Sequence, residues 1–184
     1  MNKYLRGCLI ALSVLILIIG LIVGWFWWSM ETSHERAEED SIKYSKECDS
    51  ITTITEKPAI MLGQFQKSEV TELKFYLIQN NRIIKDTILK YGVLEPDNYL
   101  STNIPFENFK KSDSIIVETK NNIYFIISGF HHYAYLHYGM FGYLGSHDCR
   151  FADGNYIVNG KNQNGTLLKK DGIKEKPLSL LNKN

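Results

Sequence analysis

Four of the five histidines fall within 17 residues, at His131, His132, His137 and His147, and Asp148 and Cys149 follow directly. Neutral imidazole nitrogens with a carboxylate or thiolate are the donors that zinc and copper take. His131, His137, His147 and Asp148 are therefore the candidate metal ligands. Six residues separate His131 from His137, about 20 Å along a straight strand at about 3.3 Å per residue, so one ion would need a bend here.

A hydrolytic alternative pairs a histidine with Cys149 or with a serine such as Ser146. No nucleophile-elbow, phosphate-loop, dinucleotide-binding or zinc-protease motif accompanies them, and a Ser-His pair adjacent in sequence is not a triad. The spacing favours structural and surface roles for the histidines over metal binding, and metal binding over nucleophilic catalysis. If Phe130 to Tyr138 is extended, His131, Tyr133, Tyr135 and His137 share one face. That face is a row of amphipathic rings of the kind enriched at protein interfaces, and is the candidate interaction surface. The opposite face, His132, Ala134, Leu136 and Tyr138, is free to pack inward.

The cysteines carry a simpler chemistry. Cys48 and Cys149 are expected to pair, closing a loop of about 100 residues worth roughly 2 to 4 kcal/mol, provided they lie in an oxidising compartment. Cys8 sits at the edge of a membrane segment, on the cytoplasmic side.

That compartment is set by the elements around these residues. Cys8 to Met30 is a run of 23 residues without a charge. As a helix it covers about 34 Å, enough for a hydrocarbon core of roughly 30 Å. Leu9 to Phe26 holds 13 Leu, Ile, Val or Phe residues, which favours insertion by about 4 to 8 kcal/mol. Lys3 and Arg6 precede the span, while Glu31, Glu35, Glu38, Glu39 and Asp40 follow it, relieved only by Arg36. The positive-inside bias puts the N-terminus in the cytoplasm and the rest in a periplasm or the extracellular space. Trp25, Phe26, Trp27 and Trp28 mark the exit as an interfacial belt. The apolar run is too long for a secretory signal and lacks a small-x-small cleavage pattern, so an uncleaved signal-anchor is expected. Gly20 and Gly24 form a G-x-x-x-G pair through which two copies could approach as a homodimer.

After residues 1–7 and the span at 8–30, residues 31–48 read as a polar, solvated stalk. Residues 49–177 read as one β-rich domain and 178–184 as a frayed tail. The stretch Leu73, Phe75, Leu77 alternates with Glu72, Lys74 and Tyr76, as a half-buried strand does. Asn80-Asn81 is a hairpin turn leading into Arg82 to Leu89. Ser114–Thr119 and Ile123–Ser128 form a second hairpin. Glu95-Pro96-Asp97-Asn98 reads as a turn, Pro105 to Lys110 as loop or helical turn, and Tyr156–Val158 and Thr166–Lys169 as late strands. The expected fold is mainly β: an N-terminal transmembrane helix and an antiparallel sandwich or partial barrel.

The residues from Glu31 onward carry 19 basic and 20 acidic side chains, a balance that argues against nucleic acid. The function expected is a membrane-anchored extracytoplasmic module that binds another protein, such as an immunity protein or an accessory subunit of an envelope complex. The alternative is a metal-binding or hydrolytic envelope enzyme using His131 to Cys149.

Overall fold

The computed structural model describes residues 3–91, 99–140 and 142–181. The expected turn at Glu95 to Asn98 lies outside them. Chain order begins with a 47-residue helix, α1 (Lys3–Asp49). Strands β1 (Thr53–Ile54), β2 (Ala59–Gly63), β3 (Glu72–Gln79), β4 (Arg82–Lys90) and β5 (Tyr99–Asn103) follow. Then come β6 (Phe109–Lys110), β7 (Ser114–Thr119), β8 (Tyr124–Ser128), β9 (His132–Gly139) and β10 (Gly142–Phe151). The chain closes with β11 (Tyr156–Val158), β12 (Lys161–Gln163), β13 (Thr166–Leu168) and a helical turn, α2 (Leu178–Leu181). The mainly β fold with one long apolar helix is the one the sequence predicts.

Two compact units form: residues Met1–Glu47 with Ala134–Asp148, and Cys48–Tyr133 with Cys149–Asn184. In the first, the apolar stretch of α1 is long enough to cross a membrane, with a mean hydropathy of 2.2 over 18 residues and none of them buried. Leu17, Leu21, Trp25, Trp27 and Trp28 are all exposed, so the apolar surface runs around the whole helix. A helix apolar on every face has no polar side to offer water. Gly20 and Gly24 have open space around them.

The second unit is a sandwich. A six-stranded sheet in the order β12-β11-β8-β7-β3-β4 pairs antiparallel throughout. A three-stranded sheet, β13-β2-β5, has β13 parallel to β2. Period-2 alternation sends Leu73, Phe75 and Leu77 of β3 and Ile115 and Val117 of β7 inward. There they share one core with Ile60, Leu62, Leu100 and Leu167 of the smaller sheet. Asn80 and Asn81 take φ of 50° and 60°, the left-handed values that a two-residue hairpin between β3 and β4 requires.

Three expectations give way. Pro105 to Lys110 ends in the short strand β6, because Phe109 is buried and its backbone pairs with Ile54 of β1. The tail is not frayed from Leu178: α2 inserts Leu180 among Ile78, Ile116 and Tyr124 on the outer face of the large sheet. Residues 49–177 are not one unit, since 134–148 belong with the helix, for reasons given below.

Ends of the second unit are knit by Glu69. Its buried carboxylate accepts from the Gln66 N–H at 2.8 Å, Asn121 Nδ2 at 2.7 Å and Lys169 Nζ at 2.7 Å. The Lys169 bond, outweighing the cost of burial, holds the Glu69 carboxyl below the usual glutamate range. A lowered carboxyl contributes stability that is complete above its unfolded value and disappears as pH falls through the folded one. Glu69→Gln is expected to cost about 1 to 3 kcal/mol in urea denaturation at neutral pH, leaving Lys169 without its carboxylate. The gap between wild type and variant should shrink toward about pH 3; a gap unchanged there would contradict this role.

Candidate functional site

The chemistry-bearing segment folds as the β9–β10 hairpin, and most of it lies in the same unit as α1. The polar half of α1 holds it. Ser33, Ala37, Asp40 and Tyr44 recur at intervals of four, three and four, which places them on one helical face. The Tyr143 backbone N–H donates to Ser33 Oγ at 2.7 Å, and the Tyr143 hydroxyl donates to Asp40 Oδ2 at 2.9 Å. Burial, reinforced by that carboxylate, pushes the Tyr143 phenol up to about 12. Farther along, the His147 ring stacks on Tyr44 at 3.7 Å between centroids, with His147 Nε2 3.8 Å from Glu47. Ala37 is 3% exposed. The region read as a solvated stalk is thus a docking face for the hairpin.

One glycine makes that approach feasible. Gly142 has φ +113°, and a Cβ there would meet Ser33 Oγ at 2.6 Å. An L side chain is excluded twice, by its backbone and by its neighbour.

The predicted ligands separate as follows. His137 and Asp148 come together, with His137 Nε2 2.8 Å from Asp148 Oδ2. His147 is engaged by Tyr44 and Glu47. His131 belongs to the sheet unit, where its Nδ1 is 3.0 Å from the Gly129 carbonyl. Cys149 is joined to Cys48 in a disulfide, with Cα atoms 5.2 Å apart. Neither sulfur is therefore a thiolate ligand or nucleophile in this state. Of the predicted interaction row, Tyr133 and Tyr135 are exposed, at 44% and 42%, while His131 and His137 are half-buried. Tyr135 meets the His137 ring edge-on at 5.8 Å.

A second contact completes a chain that the sequence obscured. Ser146 Oγ lies 3.3 Å from His137 Nδ1, opposite the nitrogen that faces Asp148. Ser146 and Asp148 are two apart on β10, so they share a face, and His137 reaches them from β9. With the proton on Nε2 donated to Asp148, Nδ1 is free to accept from the serine hydroxyl. In chemical terms this is nucleophile, base and orienting carboxylate. Ser146 and Asp148 are exposed, and His137 only half-buried, so water is not excluded in the way that strengthens such electrostatics. In sequence Ser146 is a candidate nucleophile with no particular histidine assigned to it. The period-2 spacing of Ser146 and Asp148 was the available signal.

In the sheet unit, His132 is 6% exposed. Its Nε2 lies 3.4 Å from Glu56, its ring meets Phe151 edge-on, and its Nδ1 is buried without a hydrogen-bond partner among the described residues. Burial opposes the Glu56 charge, but bonds from its own backbone, His132 and Thr55 prevail and keep that carboxyl below its usual range. Beside this, Thr53, Lys110, Lys111, Phe130 and His131 line a cleft of about 760 Å³.

The chain matches no family model, no curated protein and no solved structure. Function therefore has to be argued from these contacts alone.

Gly142→Ala is expected to introduce about 1 to 3 kcal/mol of backbone strain, on top of the clash with Ser33. Amide exchange at Tyr143 should accelerate at least tenfold relative to the native chain. Unchanged protection would mean that the hairpin does not depend on this close approach.

Proposed function

We propose that the chain is a single-pass membrane protein, with its N-terminus in the cytoplasm and its sheet domain in a periplasm or outside the cell. There it works as a protein-interaction module. An immunity protein and an accessory subunit of an envelope complex are the concrete forms this takes. The observation that carries the reading is the exposed pair Tyr133 and Tyr135 on β9. Tyrosine gives large contact area at low entropic cost and is favoured at interface cores. The apolar surface around α1 and the flanking charges support the anchor. The disulfide supports an oxidising compartment. A homodimer through Gly20 and Gly24 is part of the same proposal, since neither glycine has a neighbour within 4 Å.

A photo-crosslinking side chain at Tyr135 in the full chain, in its native membrane, should give one defined protein adduct. The same group at Lys90, exposed on β4, should not. No adduct from Tyr135, or an equal smear from both, would remove the interaction reading.

The Ser146–His137–Asp148 chain favours a second reading, a hydrolytic envelope enzyme. A fluorophosphonate probe decides between them. On the interaction reading Ser146 stays unlabelled; labelling that disappears in both Ser146→Ala and His137→Ala would promote the enzyme.

A further inference from the structure

The hairpin runs along α1 in a definite direction. Tyr143 sits at Ser33 and Asp40, and His147, four residues on, sits at Tyr44 and Glu47. Moving back from Tyr143 toward Met140 therefore moves toward Trp28. Gly142, one strand residue or about 3 Å from Tyr143, is where β10 leaves the turn that Met140 opens, and Ser33 to Trp28 is about 7.5 Å of helix. The turn end of the hairpin is thus directed along α1 toward the aromatic belt. Trp25 and Trp28 indeed line one cleft, of about 530 Å³, together with Tyr143 and Leu144.

What the hairpin brings to that level is apolar. Met140 is 91% exposed, Leu144 64% and Tyr138 61%. No Asp, Glu, Lys or Arg occurs from Tyr138 to Ser146, so no charge would need desolvating. The cleft itself grades from Trp25, Trp28 and Leu144 to Thr32, Arg36 and Asp40, in the order of a bilayer interface passing from acyl chains to head groups.

We propose that the β9–β10 tip is a second membrane contact. Met140 and Leu144 enter the leaflet that α1 leaves, with Tyr138 at the head-group level. The occupant of this surface is lipid, because the surface continues the apolar face of α1. The inference rests on the reading of α1 as a membrane span. Two points of contact would stop the upper half of α1 from tilting freely, since the hairpin braces it.

The test uses the full chain with Cys8→Ser and the native disulfide kept, reconstituted in phosphatidylcholine vesicles. A polarity-sensitive fluorophore is attached to a single new cysteine: Met140→Cys, Leu144→Cys, Leu17→Cys within the span, or Lys46→Cys, about 27 Å up the helix from Trp28. Lipids brominated near the top of the acyl chain should quench positions 140 and 144 several-fold more than position 46. Bromines placed deeper should quench position 17. If 17 is quenched while 140 and 144 behave like 46, the hairpin contact is wrong and the anchor stands. If 17 is not quenched either, the anchor reading fails and takes this inference with it.

Discussion

The Cys48–Cys149 bond is the constraint on which the sheet unit depends. It joins the last residues of α1 to the second half of β10, both of them within the sheet unit. Cys48 is fully buried, and its neighbour Asp49 pairs with Lys111 next to β6. The 101-residue separation puts β1 to β9 and most of β10 inside a covalent loop, with β11 to β13 outside it. Closing a loop of that size removes much unfolded-state freedom, worth about 2 to 5 kcal/mol. Such a bond forms and persists where thiols are oxidised, which agrees with the extracytoplasmic placement proposed above.

The same chain solves two solvent problems. Apolar residues of the sandwich turn inward and are lost from water, as Phe75, Phe125 and Ile127 are. Those in the first half of α1 face outward all round, a surface long and apolar enough to cross a hydrocarbon core. Between these regimes, α1 uses small and polar residues. Ser33 and Ala37 allow a strand to approach closely, and Asp40 and Tyr44 give it directional partners. Gly142 is the matching concession on the hairpin.

How much was legible follows from what kind of signal each element carries. Leu73, Phe75 and Leu77 advertise their face because their partners are polar, and Asn80-Asn81 advertises its turn because few other residues take positive φ. The second buried face was harder to see. Tyr76, Ile116 and Tyr124 alternate with core residues, so a strand buried on both sides loses its period, and Leu180 in the tail gave no hint that it covers them. Strands β2 and β5 pair with partners far away in sequence, which local pattern does not report. The docking face on α1 leaves no periodic signal because Ser33, Ala37, Asp40 and Tyr44 are not an apolar stripe. Histidine density marks the segment from His131 to His147, yet clustering in sequence says little about convergence in space. The structure gave the four histidines different neighbours.

The most direct measurement is thiol alkylation of the native full chain in its own membrane, without reductant, followed by mass spectrometry of its cysteine peptides. A fragment joining Cys48 to Cys149, with Cys8 the only alkylated position, is the predicted outcome. Alkylation of Cys48 and Cys149 as separate free thiols would contradict the fold's central bond and the compartment inferred from it.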